Sequence, residues 1–177
     1  MGKNTLISAI GPVMQLAFVP DDFDAAIDHW TQTMGVGPFF WIEHAGLENA
    51  RFEGAPSDVD FGLAIAYWGD LQIELIKQHN GAPSIYRSDP YARRGLHHVC
   101  LLTDDIAKAR AVAATSGANI VVEADVPGGG RVFYADCGGE HGLVEVLQTS
   151  PGGLEFFAMM KAAAVGWDGT DPIRPAT

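Results

Sequence analysis

Two stretches of this chain repeat one pattern, and an internal repeat constrains the possible folds more than any other feature of the sequence. Gln15-Leu-Ala-Phe-Val-Pro is followed by Asp21-Asp22 and then Phe-Asp-Ala-Ala. His98-Val-Cys-Leu-Leu-Thr is followed, at the same distance, by Asp104-Asp105 and Ile-Ala-Lys-Ala. In each copy a polar residue opens an apolar run that reads as a buried strand. In each, one aspartate of the pair stands where it can accept hydrogen bonds from the free N–H groups of a helix start. The spacing predicts helices over about residues 23–33 and 106–115. Phe23, Ala26, Ile27 and Trp30 share one face of the first helix, and Gly35 and Gly117 sit where helices stop.

Strand-like segments follow each helix: residues 39–43, 46–52, 61–67 and 71–77 in the first half, and 120–123, 130–135 and 142–148 in the second. Turn sequences such as Gly69-Asp70, Pro127-Gly-Gly-Gly and Gly138-Gly separate them. The last strands also match, Leu71-Gln-Ile-Glu74-Leu-Ile against Gly142-Leu-Val-Glu145-Val-Leu. The expected fold is α+β, with two tandem βαβββ modules. Residues 1–90 hold the first module with its linker, residues 91–149 the second, and residues 150–177 a helix (about 154–165) and an irregular tail.

A chain of 177 residues buries enough surface to fold without a disulfide or a structural metal, so a metal here would serve function. Its net charge of −11 argues against nucleic-acid and anionic-membrane surfaces. No run approaches the roughly 18 apolar residues of a membrane helix. Cys100 and Cys137 lack metal-site spacing and read as reduced thiols. With no leader-like N-terminus, these features point to a cytoplasmic protein.

The chemistry lies at the repeated positions. Gln15 and His98 open the first strands, and Glu74 and Glu145 stand mid-way along the last ones. Alternation turns Ile73 and Leu75 away from Glu74, and Val144 and Val146 away from Glu145. A carboxylate in an apolar strand is costly to bury unless paired or bound to a cation. Two carboxylates at equivalent points of a repeat can converge, and a divalent ion would offset their desolvation and repulsion. The repeat selects His98 over His97, which is expected to face the other side. His141 either shares the Glu145 face or lies in the turn before it.

With Gln15 and Asp21-Asp22, Met34-Gly-Val-Gly37-Pro, Glu74 in LQIELI, Gly95-Leu-His-His98-Val with Asp104-Asp105, and Gly142-Leu-Val-Glu145-Val-Leu, the chain resembles the vicinal oxygen chelate superfamily, the glyoxalase I and methylmalonyl-CoA epimerase group. The resemblance spans about residues 11–148. It implies a cupped mixed sheet around one divalent ion (Zn, Ni, Co, Mn or Fe), with Gln15, Glu74, His98 and Glu145 at the ligand positions. Many members have His at the first position; eukaryotic-type glyoxalase I has Gln, as here. Two open coordination positions would chelate neighbouring substrate oxygens, and a Glu would move a proton next to the polarised carbonyl. Glu145 is the first candidate for that base and Glu74 the second. The implied class is an isomerase, epimerase or lyase, and homodimers are common in the family.

Glutathione-using members carry an Arg four residues after the first ligand and an Asn four residues after the first Glu. Val19 and Gln78 stand there in this chain, which argues against a glutathione adduct. Extradiol dioxygenases hold Fe(II) with two His and one Glu, and Gln15 with Glu74 depart from that set. A metal-free small-molecule binding protein is the remaining alternative. Phe40, Trp41, Trp68 and Tyr134 are the candidate pocket residues for an apolar or aromatic substrate. Arg87, Arg93 and Arg94 form a basic cluster in the linker, and Phe156, Phe157, Met159 and Met160 give the tail helix a face to cover the cup or a dimer seam.

Overall fold

A computed structural model describes residues 6–138 and 142–176. The first half runs β1 (Val13–Phe18), α1 (Phe23–Asp28), β2 (Phe39–Ile42), β3 (Glu48–Phe52), β4 (Ala55–Pro56), β5 (Phe61–Trp68) and β6 (Leu71–Gln78). The second runs β7 (Leu96–Leu102), α2 (Ile106–Ser116), β8 (Asn119–Val126), β9 (Gly130–Asp136) and β10 (Leu143–Gln148), and the tail adds α3 (Pro151–Ala164) and β11 (Ile173–Pro175). The helices begin where the aspartates cap them: Asp22 accepts from the Ala25 amide and Asp105 from the Lys108 amide. A π turn over His29–Thr33 continues α1 to the expected end, and Gly117, at φ 84°, closes α2 in the left-handed conformation that costs glycine least.

All strands described join one sheet of order β11-β2-β5-β6-β1-β7-β10-β9-β8-β3-β4. At its centre β1 and β7 pair antiparallel, and each pairs parallel on its other side with the last strand of its own half, β6 or β10. Helix α1 packs on one face of its half through Ile27, Phe23 and Trp30 against Phe39, Ala64, Ile73 and Leu75. Helix α2 covers the same face of the other half through Ala109 and Ala113 against Phe133, Ala135 and Val146. The opposite face is the inside of the cup.

Two connections were not legible in the repeat. Strand β3 leaves its own half and pairs antiparallel with β8 of the other. The tail, expected to be irregular, returns to the far edge, where β11 pairs parallel with β2. Trp167 reaches Gly37, where a Cβ would stand 2.6 Å from the indole, so that glycine is fixed by a close approach. Ser150 caps α3, and Met160 is buried with Phe40 and Ile65 on the inner face. Among the described residues no helix is long and apolar enough to cross a membrane.

Because the Asp105 cap supplies an acceptor to an otherwise free amide, Asp105→Ala is expected to lower unfolding free energy by about 1 kcal/mol. Urea denaturation would show it as a lower midpoint at unchanged slope.

Candidate metal centre

The central strands bring the repeated polar residues to one point. Gln15 on β1 and His98 on β7 face the inside of the cup, and the flanking parallel strands add Glu74 and Glu145. All four residues are buried, none more than 7% exposed. His98 Nε2 lies 3.0 Å from Glu145 Oε2 and 3.6 Å from Glu74 Oε2. One ligand atom from each of Glu74, His98 and Glu145 falls within a 4.8 Å span. Gln15 Nε2 donates to Gln72 Oε1 at 2.9 Å, and Gln72 Nε2 donates to the Tyr67 hydroxyl at 2.7 Å. That chain occupies the amide nitrogen of Gln15, and its oxygen is the atom left to bind a cation.

The electrostatics are those of crowded carboxylates. Burial pushes the Glu74 carboxyl up, and the neighbouring Glu145 adds to this. Burial opposes charge on His98 as well, but the Glu145 and Glu74 carboxylates outweigh it and raise the imidazole to about 9. His97 behaves oppositely: burial and His98 hold it down at about 4. Tyr134, whose ring meets His98 edge-on at 5.1 Å, stays a neutral phenol because burial and then Glu145 raise it.

This donor set fits a divalent ion. Two buried carboxylates share one imidazole, which cannot neutralise both if both are ionised, and the 3.0 and 3.6 Å separations of His98 Nε2 from the two carboxylates are those of donors on a common centre with bonds of about 2.0–2.2 Å.

Above these residues lies a cavity of about 340 Å³. Gln15, Glu74, Glu145 and Tyr134 line its floor; its walls include Ile42, Leu47, Phe61, Leu63, Ile65, Val126, Val132 and Leu147, with Phe156 and Phe157 of α3 alongside. No Lys or Arg is among its described lining residues.

The structure separates the expected pocket aromatics by strand parity. Tyr134 lines the cavity. Phe40 faces inward but is covered by α3, against Phe156, Ile65 and Met160. Trp41, its neighbour, must point outward and meets Phe23 of α1 at 5.1 Å. Trp68 also has outward parity; it is 53% exposed and edges against Trp30. Neither tryptophan lines this cavity.

Val19 packs against the core, and Gln78 is consumed by the linker, donating to Asn80 and Ala82 and accepting from Ser84. His44 lines the outer part of the cavity, beside Asp60. His141 lies outside the described residues. The inward wall residues were missed because their signal, the parity shared with Glu74 and Glu145, looks the same as ordinary core. Gln72, two residues before Glu74 and the partner of Gln15, was also missed, although a buried polar residue at that parity was a readable signal.

The sequence profile of the Glyoxalase/Bleomycin resistance protein/Dioxygenase superfamily matches residues 14–135. The chain belongs to this superfamily. No curated protein sequence matches it. Among solved structures, a variant of Streptomyces coelicolor methylmalonyl-CoA epimerase in complex with 2-nitronate-propionyl-CoA is similar, with a TM-score of 0.55 and 16% identity over 80% of this chain and 96% of that one. The methylmalonyl-CoA epimerase from Mycobacterium tuberculosis gives a TM-score of 0.53 and 14% identity over 88% and 97%. A hypothetical protein from Bacillus halodurans gives 0.53 and 12% over 78% and 94%. At these identities the likeness is one of fold.

Crowded carboxylates make a stability test. Zinc at 100 times its dissociation constant is expected to stabilise the metal-free protein by about 2.7 kcal/mol. Glu74→Gln without metal should be no less stable than the wild type, since it leaves one carboxylate on one imidazole, and should gain less from zinc. Thermal unfolding with and without zinc reads both.

Proposed function

We propose that this protein is a divalent-metal-dependent isomerase, epimerase or lyase of the glyoxalase type. It would abstract a proton next to a carbonyl of a small substrate that carries two neighbouring oxygens and an apolar or aromatic body. The observation that carries the reading is the convergence of Glu74, His98 and Glu145 beneath an apolar cavity whose floor is lined by Gln15, Glu74 and Glu145.

In this reading Gln15, Glu74, His98 and Glu145 hold the ion. When bound, a divalent ion supplies Lewis-acid polarisation of a carbonyl and acidifies the neighbouring C–H. Glu145 accepts that proton and returns it, with Glu74 as the second candidate. The apolar walls exclude water and orient the substrate body. Because the described lining has no Lys or Arg, and its one histidine, His44, already faces Asp60, a substrate carboxylate or phosphate held away from the ion would have no free cationic side chain to pair with. This supports an uncharged body over the glutathione adducts that Val19 and Gln78 already disfavour. The epimerases of like fold make acyl thioesters one class to test, beside 2-hydroxycarbonyl compounds. A Fe(II) dioxygenase is less well supported, because Gln15 and Glu74 occupy the floor in place of a second histidine.

Elemental analysis of protein purified without added ions is expected to find about one divalent ion per chain, lost or sharply weakened in His98→Ala. Solvent deuterium exchange into 2-hydroxycarbonyl and thioester substrates should fall by about 10²–10⁴-fold in Glu145→Gln. No metal in the wild type, and no uptake of Zn, Ni, Co, Mn or Fe on titration, would overturn the reading and leave the cavity as the site of a binding protein. Phe157→Ala should raise KM about tenfold, equivalent to about 1.4 kcal/mol of lost contact, at unchanged metal content.

A further inference from the structure

His97 is a buried imidazole beside the candidate ligands for which the proposed reaction has no task. It is fully buried, and both ring nitrogens are engaged. Its Nε2 lies 2.9 Å from the Ile85 carbonyl oxygen, and its Nδ1 lies 2.9 Å from Nδ1 of His98. Consecutive strand residues ordinarily point to opposite faces. Here the pairing of β7 with β1 slips: Ala17 opposes His98 and Phe18 opposes Leu96, so His97 is the extra residue of a β-bulge. A bulge re-aims a side chain, and this one brings the two imidazoles together at an interplanar angle of 83°.

The proton positions follow from the partners. A carbonyl oxygen can only accept, so His97 Nε2 carries a hydrogen. Two nitrogens 2.9 Å apart share one proton between them. A second proton on His97 would place an imidazolium in a fully buried position whose two hydrogen-bond partners are a carbonyl and another imidazole. His97 is therefore the neutral ring with a bare Nδ1, and His98 donates its Nδ1–H to it. In a neutral His98 the lone pair then lies on Nε2, the nitrogen that faces Glu74 and Glu145.

We infer that His97 is a positioning residue: by accepting from His98 Nδ1–H it reserves the Nε2 lone pair of His98 for a divalent cation, with the Ile85 carbonyl setting the direction of the relay. This rests on the metal reading above. The linker between the halves is thereby part of the site. Its geometry there is fixed on both sides of Ile85: Ser84 Oγ donates to Gln78 and accepts from the Tyr86 amide, and the Ser88 amide bonds the Ser84 carbonyl. The first half solves the equivalent problem differently. Its bulge falls at Met14, just before Gln15, where an apolar side chain cannot take this part, and Gln72 orients Gln15 instead.

The test is long-range ¹H–¹⁵N spectroscopy of the full chain with ¹⁵N-labelled histidine rings, metal-free and with zinc. His97 should carry a proton on Nε2 alone in both states. His98 should keep its Nδ1 proton in both and have none on Nε2 once zinc is bound. A proton on His97 Nδ1, or a bare Nδ1 on His98, overturns the inference without any mutation.

Variants give the second readout. His97→Leu removes the acceptor and should weaken zinc binding by about 10–100-fold. His97→Asn can return an amide oxygen near the Nδ1 position and should restore most of it, to within about threefold of the wild type. Equal weakening in both variants would make His97 a packing residue and overturn the inference. Failure of zinc to bind while the metal-free tautomers are as stated counts against the metal reading and upholds the tautomer assignment.

Discussion

The antiparallel pairing of β1 with β7 is the interaction on which the rest of the molecule depends. It joins the two halves with Gln15 opposite Cys100 and His98 opposite Ala17, so that the two opening residues stand on one face, diagonal to each other. Because each of these strands also has the last strand of its half as a parallel neighbour, four polar side chains converge inside the cup. Any other pairing of the halves would leave Glu74 and Glu145 buried apart, each with its own desolvation cost and no common charge to offset it. The surrounding polar groups are arranged around the same point. Gln72 takes the nitrogen of Gln15, Tyr67 holds Gln72, and His97 meets Nδ1 of His98, so the Gln15 oxygen is left free and His98 Nε2 faces Glu74 and Glu145.

The apolar cavity follows from a second constraint, the period of the strand. Once Glu74 and Glu145 point inward, so do Ile76 and Leu147, and Val132 faces inward beside Tyr134. The outward positions are taken by residues that pack on α1 and α2. Helix α3, outside both repeats, lies over the inner face of the first half and brings Phe156 and Phe157 to the cavity. It also uses up Phe40, which supports the helix from beneath and does not reach the cavity. Apolar walls over a charged floor strengthen every electrostatic interaction at the floor, and this links the packing of the tail to the chemistry proposed for the carboxylates.

Much of this was written in the chain. The duplicated run from polar residue to aspartate pair set the first strands, the helix starts at Asp22 and Asp105, and the equivalence of Gln15 with His98. The matched last strands set Glu74 against Glu145. These features are local and periodic: alternation determines which side chains share a face, and equal spacing in two copies determines which residues are equivalent. The tertiary structure decided what depends on contacts between distant segments. Strand β3 crosses to β8, and β11 returns to β2, because a sheet edge accepts any chain that satisfies its hydrogen bonds, and no local pattern names the partner. Trp41 and Trp68 face outward because parity is set by the neighbour across the strand, which aromatic content does not reveal. The meeting of His97 with His98 needed both a bulge in β7 and a linker carbonyl at Ile85. A one-residue slip in pairing is invisible to a pattern with period two, so the sequence supplied the two imidazoles and only the fold could bring them into contact.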